Sequence, residues 1–253
     1  MVRKARQKSE SGIYHIILRG INKQSIFESD EDRMKYLQTL ERYKELCGYK
    51  IYGYCLMSNH IHLLIETGKE PLEQIMKKIS VSYVYWYNSK YQRCGHLFQD
   101  RYKSEPVEKE EYLLIVLRYI HQNPVKAHLV KDIKDYKWSS YQEYIESKGI
   151  TDRDFIYEII HENKTMALDE FIKFMNELNE DKCLEIEERK PRITDDQLKK
   201  MIERKYSIKS VMIQNEPKET KKKILKEILK IEGVSTRQLA RVTGISPNVI
   251  WTL

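Results

Sequence analysis

The sequence lacks long hydrophobic runs, and cysteine is scarce. The longest apolar stretches, such as residues 112–116, are far shorter than the ~18 residues that a bilayer span requires. The basic N-terminus is not followed by the small-residue cleavage site of a secretory signal. The four cysteines are scattered and have no CxxC spacing for a zinc or redox site. We therefore expect no membrane association and a cytoplasmic protein with reduced thiols.

Charge is abundant and unevenly distributed over the 253 residues, whose net charge is +7. Residues 1–150 hold 25 basic and 19 acidic side chains, a balance of +6. Residues 151–188 hold 4 and 12, a balance of −8, and residues 189–253 hold 16 and 7, a balance of +9. Two polyanion-binding domains joined by an acidic helical connector would have this distribution, and so would helices with solvated charged faces. We take these three ranges as the predicted domains.

Strand and helix patterns alternate in the first range. Strand patterns lie at residues 13–18, 49–57, 60–65 and 96–107, and helix patterns at 30–47, 71–87 and 108–122. Asn123-Pro124 is expected to end the third helix. The order β-α-β-β-α-β-α predicts an α+β domain, a ferredoxin-like and mainly antiparallel sheet with helices packed on it.

The third strand pattern contains a His-x-His pair. Because side chains alternate along a strand, His60 and His62 share one face, roughly 7 Å apart at Cα. Two imidazoles at this spacing can ligate one metal ion, and an ion that polarises a phosphoryl oxygen suits a phosphodiester substrate. The alternative is a pair of polar residues on the exposed face of a half-buried strand.

The third helix pattern carries further candidate groups. Tyr112, Tyr119 and Asn123 fall in one stripe because helical positions four residues apart are neighbours. Tyr119 could supply a nucleophilic hydroxyl and Asn123 an oxygen ligand. Most tyrosines of amphipathic helices only pack, and spacing alone does not select Tyr119 among the 18 tyrosines.

Four motifs follow one another between residues 10 and 145: SNHIHLLI, GHLFQDRYKSEPVE, YLLIVLRYIHQNPVKAHLV and DYKWSSYQEYI. Together they resemble the signature of the REP-associated tyrosine transposases, relatives of the single-tyrosine transposases in the HUH nuclease superfamily. The resemblance implies that His60 and His62 are metal ligands, that Tyr119 is the nucleophile, and that Asn123 is a third ligand. His128 and Phe98 depart from the family's usual Gly and Trp, and neither departure removes a reacting group.

This resemblance implies a metal-dependent enzyme that cleaves and rejoins single-stranded or hairpin DNA. With Mg²⁺ or Mn²⁺, the Tyr119 oxygen would attack the scissile phosphate and leave a 5′-phosphotyrosine and a free 3′-hydroxyl. Two other hypotheses stay open. One is a domesticated DNA-binding regulator that does no chemistry, and the other is a metal-dependent phosphodiesterase without a covalent intermediate.

Basic and aromatic residues around these motifs are candidates for DNA contacts. The candidates for phosphate contacts are Arg19, Lys23, Arg93, Arg101 and Lys103. The candidates for base stacking are Tyr83, Tyr85, Trp86, Tyr87 and Tyr91, for which core packing is an equal alternative.

The C-terminal range reads as short helices at residues 194–205, 218–231, 236–242 and from 247 onward. Ala240 at the helix contact and Gly244 at the turn resemble a helix-turn-helix, with Leu239, Ile245 and Ile250 in core positions. The generic alternative is a small helical bundle. Arg237, Ser246 and Asn248 are the predicted DNA contacts of this region, which would bind duplex DNA. The sequence leaves both a monomer and a homodimer open.

Overall fold

The computed structural model describes residues 6–185, 193–231 and 233–252. The chain forms two compact units, residues 1–186 and residues 187–253. Within the described ranges, no helix is both long and apolar enough to cross a membrane.

A four-stranded antiparallel sheet forms the centre of the first unit. Its strands are β1 (Ile13–Arg19), β2 (Lys50–Leu56), β3 (His60–Glu66) and β4 (Lys103–Pro106), in the order β2-β3-β1-β4. All neighbouring strands are antiparallel. The predicted α+β fold with a ferredoxin-like sheet is confirmed. Of the extended pattern at residues 96–107, only the four residues of β4 form a strand.

Helices cover both faces of the sheet. On one face lie α1 (Asp30–Cys47) and α2 (Leu72–Lys90), which enclose one buried apolar cluster with the sheet. On the other face lies α3 (Glu110–Lys126). It is followed by α4 (Tyr141–Glu146), α5 (Asp154–Ile160) and α6 (Lys164–Asn176). The last two helices fall in the range read as a connector, and they pack into the same core as α3.

The end of α3 differs from the prediction. The helix does not stop before Asn123-Pro124 but continues to Lys126, with Pro124 inside it. Pro124 is buried, so tertiary packing outweighs the local cost of proline in a helix. Asn123 therefore belongs to the helix and stays one turn after Tyr119.

A glycine allows α3 to approach the sheet closely. Gly53 lies at an irregularity in the pairing of β2 with β3, and a β-carbon placed there would lie 2.5 Å from Leu117 Cδ1. Leu117 is fully buried on α3, two residues before Tyr119. The absence of a side chain at Gly53 thus allows α3, the helix that carries Tyr119, to lie close to the strands.

The described part of the second unit is helical. It contains α7 (Asp195–Tyr206), a 3₁₀ helix (Ser210–Asn215), α8 (Lys218–Leu229), α9 (Thr236–Thr243) and α10 (Pro247–Trp251). Gly244 ends α9 with φ of +75°, the left-handed conformation that glycine adopts most easily. Leu239, Ile245 and Ile250 lie in the core. The helix-turn-helix prediction is confirmed.

Candidate active site

The two histidines of the His-x-His motif lie side by side on β3. Their ring centroids are 5.1 Å apart, and both rings lie on the sheet face that α3 covers. His62 is almost completely buried and His60 is partly exposed. The alternation along the strand places the apolar neighbours Ile61 and Leu63 in the opposite core. The motif thus faces a helix, and His60 lies at the rim of that contact.

His60 is held in one orientation by the residue that precedes it. Its Nδ1 lies 2.6 Å from Asn59 Oδ1. Because a carbonyl oxygen only accepts, Nδ1 carries the hydrogen and Nε2 keeps its lone pair. Burial lowers the pKa of His60 to about 4; the nearby Asn123 amide opposes this shift, and the charge of Arg19 contributes to it. The ring is therefore neutral at neutral pH and can ligate a metal ion.

Tyr119 lies directly against this pair. Its ring is edge-on to His62, with 5.7 Å between centroids. Burial and, to a smaller extent, the charge of the Glu185 carboxylate raise the pKa of Tyr119 to about 12, although the nearby Asn123 amide opposes the shift. The hydroxyl donates to Glu185 Oε1 at 3.5 Å. Tyr119 is thus a protonated hydroxyl with a carboxylate and an amide beside it.

Asn123 connects the helix to the histidines. Its side-chain amide lies near both His60 and Tyr119, where it raises the pKa of His60 and lowers the pKa of Tyr119. The spacing of four residues on α3 puts Asn123 over the same part of β3 as Tyr119. The four residues singled out in the sequence therefore come together in one place.

Two residues that the sequence did not single out, His15 and Glu105, extend this cluster. His15 lies in the middle of β1, is completely buried, and places its Nε2 3.1 Å from His62 Nδ1. Glu105 on β4 pairs with His15 across the sheet. The one local signal was a histidine inside the apolar run IYHIIL, and that signal alone does not distinguish a site residue from a core residue.

The segment after α6 is a further part of the site that the sequence did not indicate. The Leu184 backbone N–H donates to Glu105 Oε2 at 3.0 Å, and Glu185 contacts Tyr119. Lys103 on β4 donates to the Glu185 carbonyl at 3.3 Å. An acidic stretch read as a connector thus lies beside the tyrosine, a long-range contact that no local pattern predicts.

The side chains present fit a divalent metal ion. Within the described ranges, no three His, Cys, Asp or Glu side chains are grouped so that they could hold such an ion, so these residue types alone do not complete a site. His60 and His62 offer two neutral imidazoles, and Asn123 offers an amide oxygen beside His60. Nitrogen and oxygen donors of this kind suit Mn²⁺, and with added water they suit Mg²⁺. An ion here would need the amide as its third protein ligand.

The predicted phosphate-contacting residues divide into two groups. Arg19 pairs with His60 and Lys103 pairs with Ile17, which in turn pairs with His62. Residues directly opposite in a sheet share a face, so Arg19 and Lys103 lie on the histidine face. The other three lie in loops: Lys23 in a 3₁₀ turn, Arg93 bonded to Gln24, and the exposed Arg101.

Most of the predicted stacking residues belong to the core of the first unit. Tyr83 and Tyr87 are buried, and their hydroxyls donate to the Ile26 carbonyl and to Glu28. Trp86 and Tyr91 are partly buried against the same core, whereas Tyr85 is 79% exposed. Of the five aromatic residues, Tyr85 has a ring free enough to meet a base.

In the second unit, the predicted DNA contacts are all on the surface. Arg237 lies on α9, Ser246 in the turn and Asn248 on α10, and all three side chains are exposed. Arg241 on α9 is paired with Asp195 of α7, with 2.6 Å between Arg241 Nε and Asp195 Oδ2. The exposed positions leave the predicted recognition surface accessible.

Comparison with known proteins gives two family matches and several similar structures, of which two are described below. Residues 8–123 match the family described as IS200-like transposase, and residues 218–253 match winged helix-turn-helix DNA-binding. A REP-associated tyrosine transposase bound to a REP hairpin is 15% identical, covers 61% of this chain and 90% of its own, and has a TM-score of 0.49. A candidate transposase from Deinococcus radiodurans R1 is 16% identical, with coverages of 50% and 97% and a TM-score of 0.34. No curated protein matches the chain.

The transposase match begins before β1 and ends at Asn123. It therefore includes both histidines of the motif, the neighbouring tyrosine and Asn123. The helix-turn-helix match begins with α8 and spans α9 and α10. Residues 8–123 of this chain are thus similar to the IS200-like transposases, and residues 218–253 are similar to winged helix-turn-helix DNA-binding domains.

Proposed function

We propose that this protein is a transposase that cleaves and rejoins single-stranded DNA at hairpin elements, with Tyr119 as the nucleophile. The observation that carries the proposal is the ring contact of Tyr119 with His62, together with the influence of the Asn123 amide on the pKa of both Tyr119 and His60. A hydroxyl nucleophile beside two neutral imidazoles and an amide is the set of groups that a metal-assisted transesterification requires.

His60, His62 and Asn123 would hold the divalent ion, Mg²⁺ or Mn²⁺. When bound, the ion supplies positive charge that polarises the scissile phosphate. The bond between Asn59 and His60 keeps the His60 ring oriented, which reduces the conformational freedom that ligation must remove.

Tyr119 performs the covalent step. Its oxygen attacks phosphorus and the bond to the leaving 3′-oxygen breaks. A 5′-phosphotyrosine forms, and the leaving oxygen takes a proton from water to become a free 3′-hydroxyl. The hydroxyl proton must leave, and Glu185 at 3.5 Å is a base within reach of it. The covalent link conserves the energy of the phosphodiester, so attack by another 3′-hydroxyl rejoins strands without ATP.

The substrate strand would follow the basic side chains on the histidine face. Arg19 and Lys103 lie on that face, Arg19 in the cross-strand row of His60 and Lys103 in that of His62. Backbone phosphates are the natural partners of such residues. The choice of hairpin DNA rests on the resemblance of the sequence motifs to the REP-associated transposases. The helix-turn-helix would add contacts to neighbouring duplex DNA through Arg237, Ser246 and Asn248.

The test is a covalent adduct assay with the full chain, hairpin-bearing single strands and Mn²⁺ or Mg²⁺. We expect an adduct in the wild type and none in Tyr119→Phe, since that change removes one oxygen and keeps the ring. Tyr43→Phe is the control, because Tyr43 lies on α1, on the opposite face of the sheet from the histidines. An adduct mapped to Tyr112 would refute the assignment. DNA binding with no adduct under any metal would favour a regulator without chemistry.

A further inference from the structure

The buried histidine pair in the centre of the sheet has a role beyond packing. His15 has no exposed surface and lies in a strand that is otherwise apolar on both sides of it. Burying an imidazole costs free energy unless its nitrogens find partners. One partner is His62, whose Nδ1 is 3.1 Å from His15 Nε2. The rings are stacked, with 5.4 Å between centroids.

The other nitrogen of His15 faces a carboxylate. His15 Nδ1 is 3.9 Å from Glu105 Oε2, longer than a hydrogen bond but close enough for electrostatic attraction. Glu105 is itself fixed, because the Tyr112 hydroxyl donates to its Oε1 and the Leu184 N–H to its Oε2, both at 3.0 Å. A fixed negative charge therefore lies at the far end of the imidazole pair.

This arrangement determines which nitrogens carry hydrogen. The Glu105 carboxylate favours the hydrogen of neutral His15 on Nδ1, which leaves a lone pair on His15 Nε2. That lone pair can only accept, so His62 must donate from Nδ1. His62 Nε2 then keeps its own lone pair, as His60 Nε2 does through Asn59.

We propose that His15 is a positioning residue that holds His62 in the Nδ1–H tautomer and orientation needed to ligate a divalent ion. The inference rests on the metal-holding role given to His60 and His62 in the proposed function. His15 would act through His62 and touch neither the ion nor the DNA. Ligating histidines depend on such partners for ring orientation and tautomer.

Two substitutions distinguish between two roles of His15, a hydrogen-bond acceptor for His62 and a ring that only fills space. His15→Phe keeps an aromatic ring in the core and removes the acceptor. His15→Gln loses the ring but can place a carbonyl oxygen near the position of Nε2. If the His15 ring only fills space, His15→Phe should reduce Mn²⁺ binding less than His15→Gln does. If the hydrogen-bond acceptor matters, His15→Gln should reduce Mn²⁺ binding less than His15→Phe does. His62→Ala serves as the reference for a lost ligand.

The readout is Mn²⁺ binding by the full chain without DNA, measured by calorimetry. We expect His15→Phe to weaken Mn²⁺ binding by about 10–100-fold, the usual effect of removing a residue that orients a metal ligand. His15→Gln should stay closer to the wild type than to His15→Phe. A second readout is the ¹⁵N spectrum of the histidines in the metal-free wild type, which should report His62 with its hydrogen on Nδ1.

Several outcomes would overturn the inference. One is a folded His15→Phe that binds Mn²⁺ as the wild type does, and another is His15→Gln binding as weakly as His15→Phe. If His15→Phe does not fold, the ¹⁵N spectrum of the wild type decides: His62 with its hydrogen on Nε2 would refute the proposed role of His15. If the wild type itself binds no Mn²⁺, the metal role of His60 and His62 fails and this inference with it. Unchanged binding in His15→Phe removes only the role of His15.

Discussion

The ring of Tyr119 on α3 stands edge-on to the ring of His62 on β3, with 5.7 Å between their centroids. This contact joins a helix and a strand that are far apart in sequence, and it is possible because α3 packs directly on the sheet. Asn123, one turn later on α3, lies near His60 and affects its pKa. The geometry of the site therefore depends on how α3 lies on the strands.

The histidine motif gives the first prediction. His60→Ala or His62→Ala should abolish adduct formation while DNA affinity stays nearly unchanged, because each substitution removes a ligand and no phosphate-contacting charge. The measurements are the adduct assay with Mn²⁺ and equilibrium binding of the same hairpin. His161→Ala, a change at the end of α5, is the control and should behave as the wild type. An alanine variant that still forms the adduct would exclude the histidine from the reaction.

The second prediction concerns Gly53. Gly53→Ala should destabilise the first unit by about 1–3 kcal/mol, because the added carbon overlaps Leu117 in a packed core. Adduct formation should fall as well, since a displaced α3 carries Tyr119 with it. Urea unfolding and the adduct assay measure the two effects.

Leu117→Ala provides the matched background for this test. Leu117→Ala removes the atom that the new β-carbon would meet, so Gly53→Ala should cost less in that background than in the wild type. Equal costs in both backgrounds would show that Gly53 matters for a reason other than the approach of α3.

Local patterns predict much of this fold and miss what depends on distant contacts. Helix α1 begins and ends where its periodicity and Gly48 predict, at Asp30 and Cys47. Helix α3 passes the expected stop at Pro124, a residue that is buried in the folded protein. The four-residue spacing of Tyr119 and Asn123 can be read from the sequence, but the continuation of α3 through Asn123 cannot.

The same distinction applies to the site. His60 and His62 are recognisable because both belong to one short strand. His15 cannot be recognised in this way, because its role depends on contact with His62 on the neighbouring strand, 47 positions away. Glu185 contacts Tyr119 across 66 positions, from a stretch whose acidity suggested only a connector. Sequence patterns report the elements, whereas these partners are set by how the elements pack.

The third prediction concerns pH and the link between α1 and α2. Asp32 is buried, and although burial opposes its ionisation, hydrogen bonds from Lys90, Tyr91 and two backbone N–H groups lower its pKa below the usual 3.8. A lowered pKa in the folded state stabilises the fold above pH 3.8, and this contribution is lost as pH falls through the folded-state pKa. Asp32→Asn should therefore cost about 1–3 kcal/mol at pH 7 and less in acid.

Unfolding of both proteins by urea at pH 7 and at the lowest pH where the wild type folds measures this difference. Glu31→Gln is the control, because Glu31 pairs with the same Lys90 from an exposed position. Its effect should be small at every pH. A penalty for Asp32→Asn that does not change with pH would mean that the geometry of the amide, and not the lost charge, causes it.

The fourth prediction concerns where the chain can be shortened. A fragment of residues 1–150 should fold poorly, because it lacks Phe171, which stacks on Tyr144 at 4.4 Å, and the other core residues of α5 and α6. A fragment of residues 1–186 keeps them and should form the adduct with a short hairpin. Thermal unfolding and the adduct assay compare the two fragments. A stable and active 1–150 fragment would mean that α5 and α6 do not support α3.

The 1–186 fragment also tests the role of the second unit in DNA binding. Residues 189–253 carry 16 basic and 7 acidic side chains, and each phosphate neutralised by a basic residue releases counterions. The full chain should therefore lose affinity for a hairpin with flanking duplex more steeply with salt than the fragment does. Arg237→Ala in the full chain, at an exposed position of α9, should reduce the slope in the same direction by a smaller amount. Equal slopes for the full chain and the fragment would mean that these basic side chains face solvent and not DNA, even if both proteins cleave.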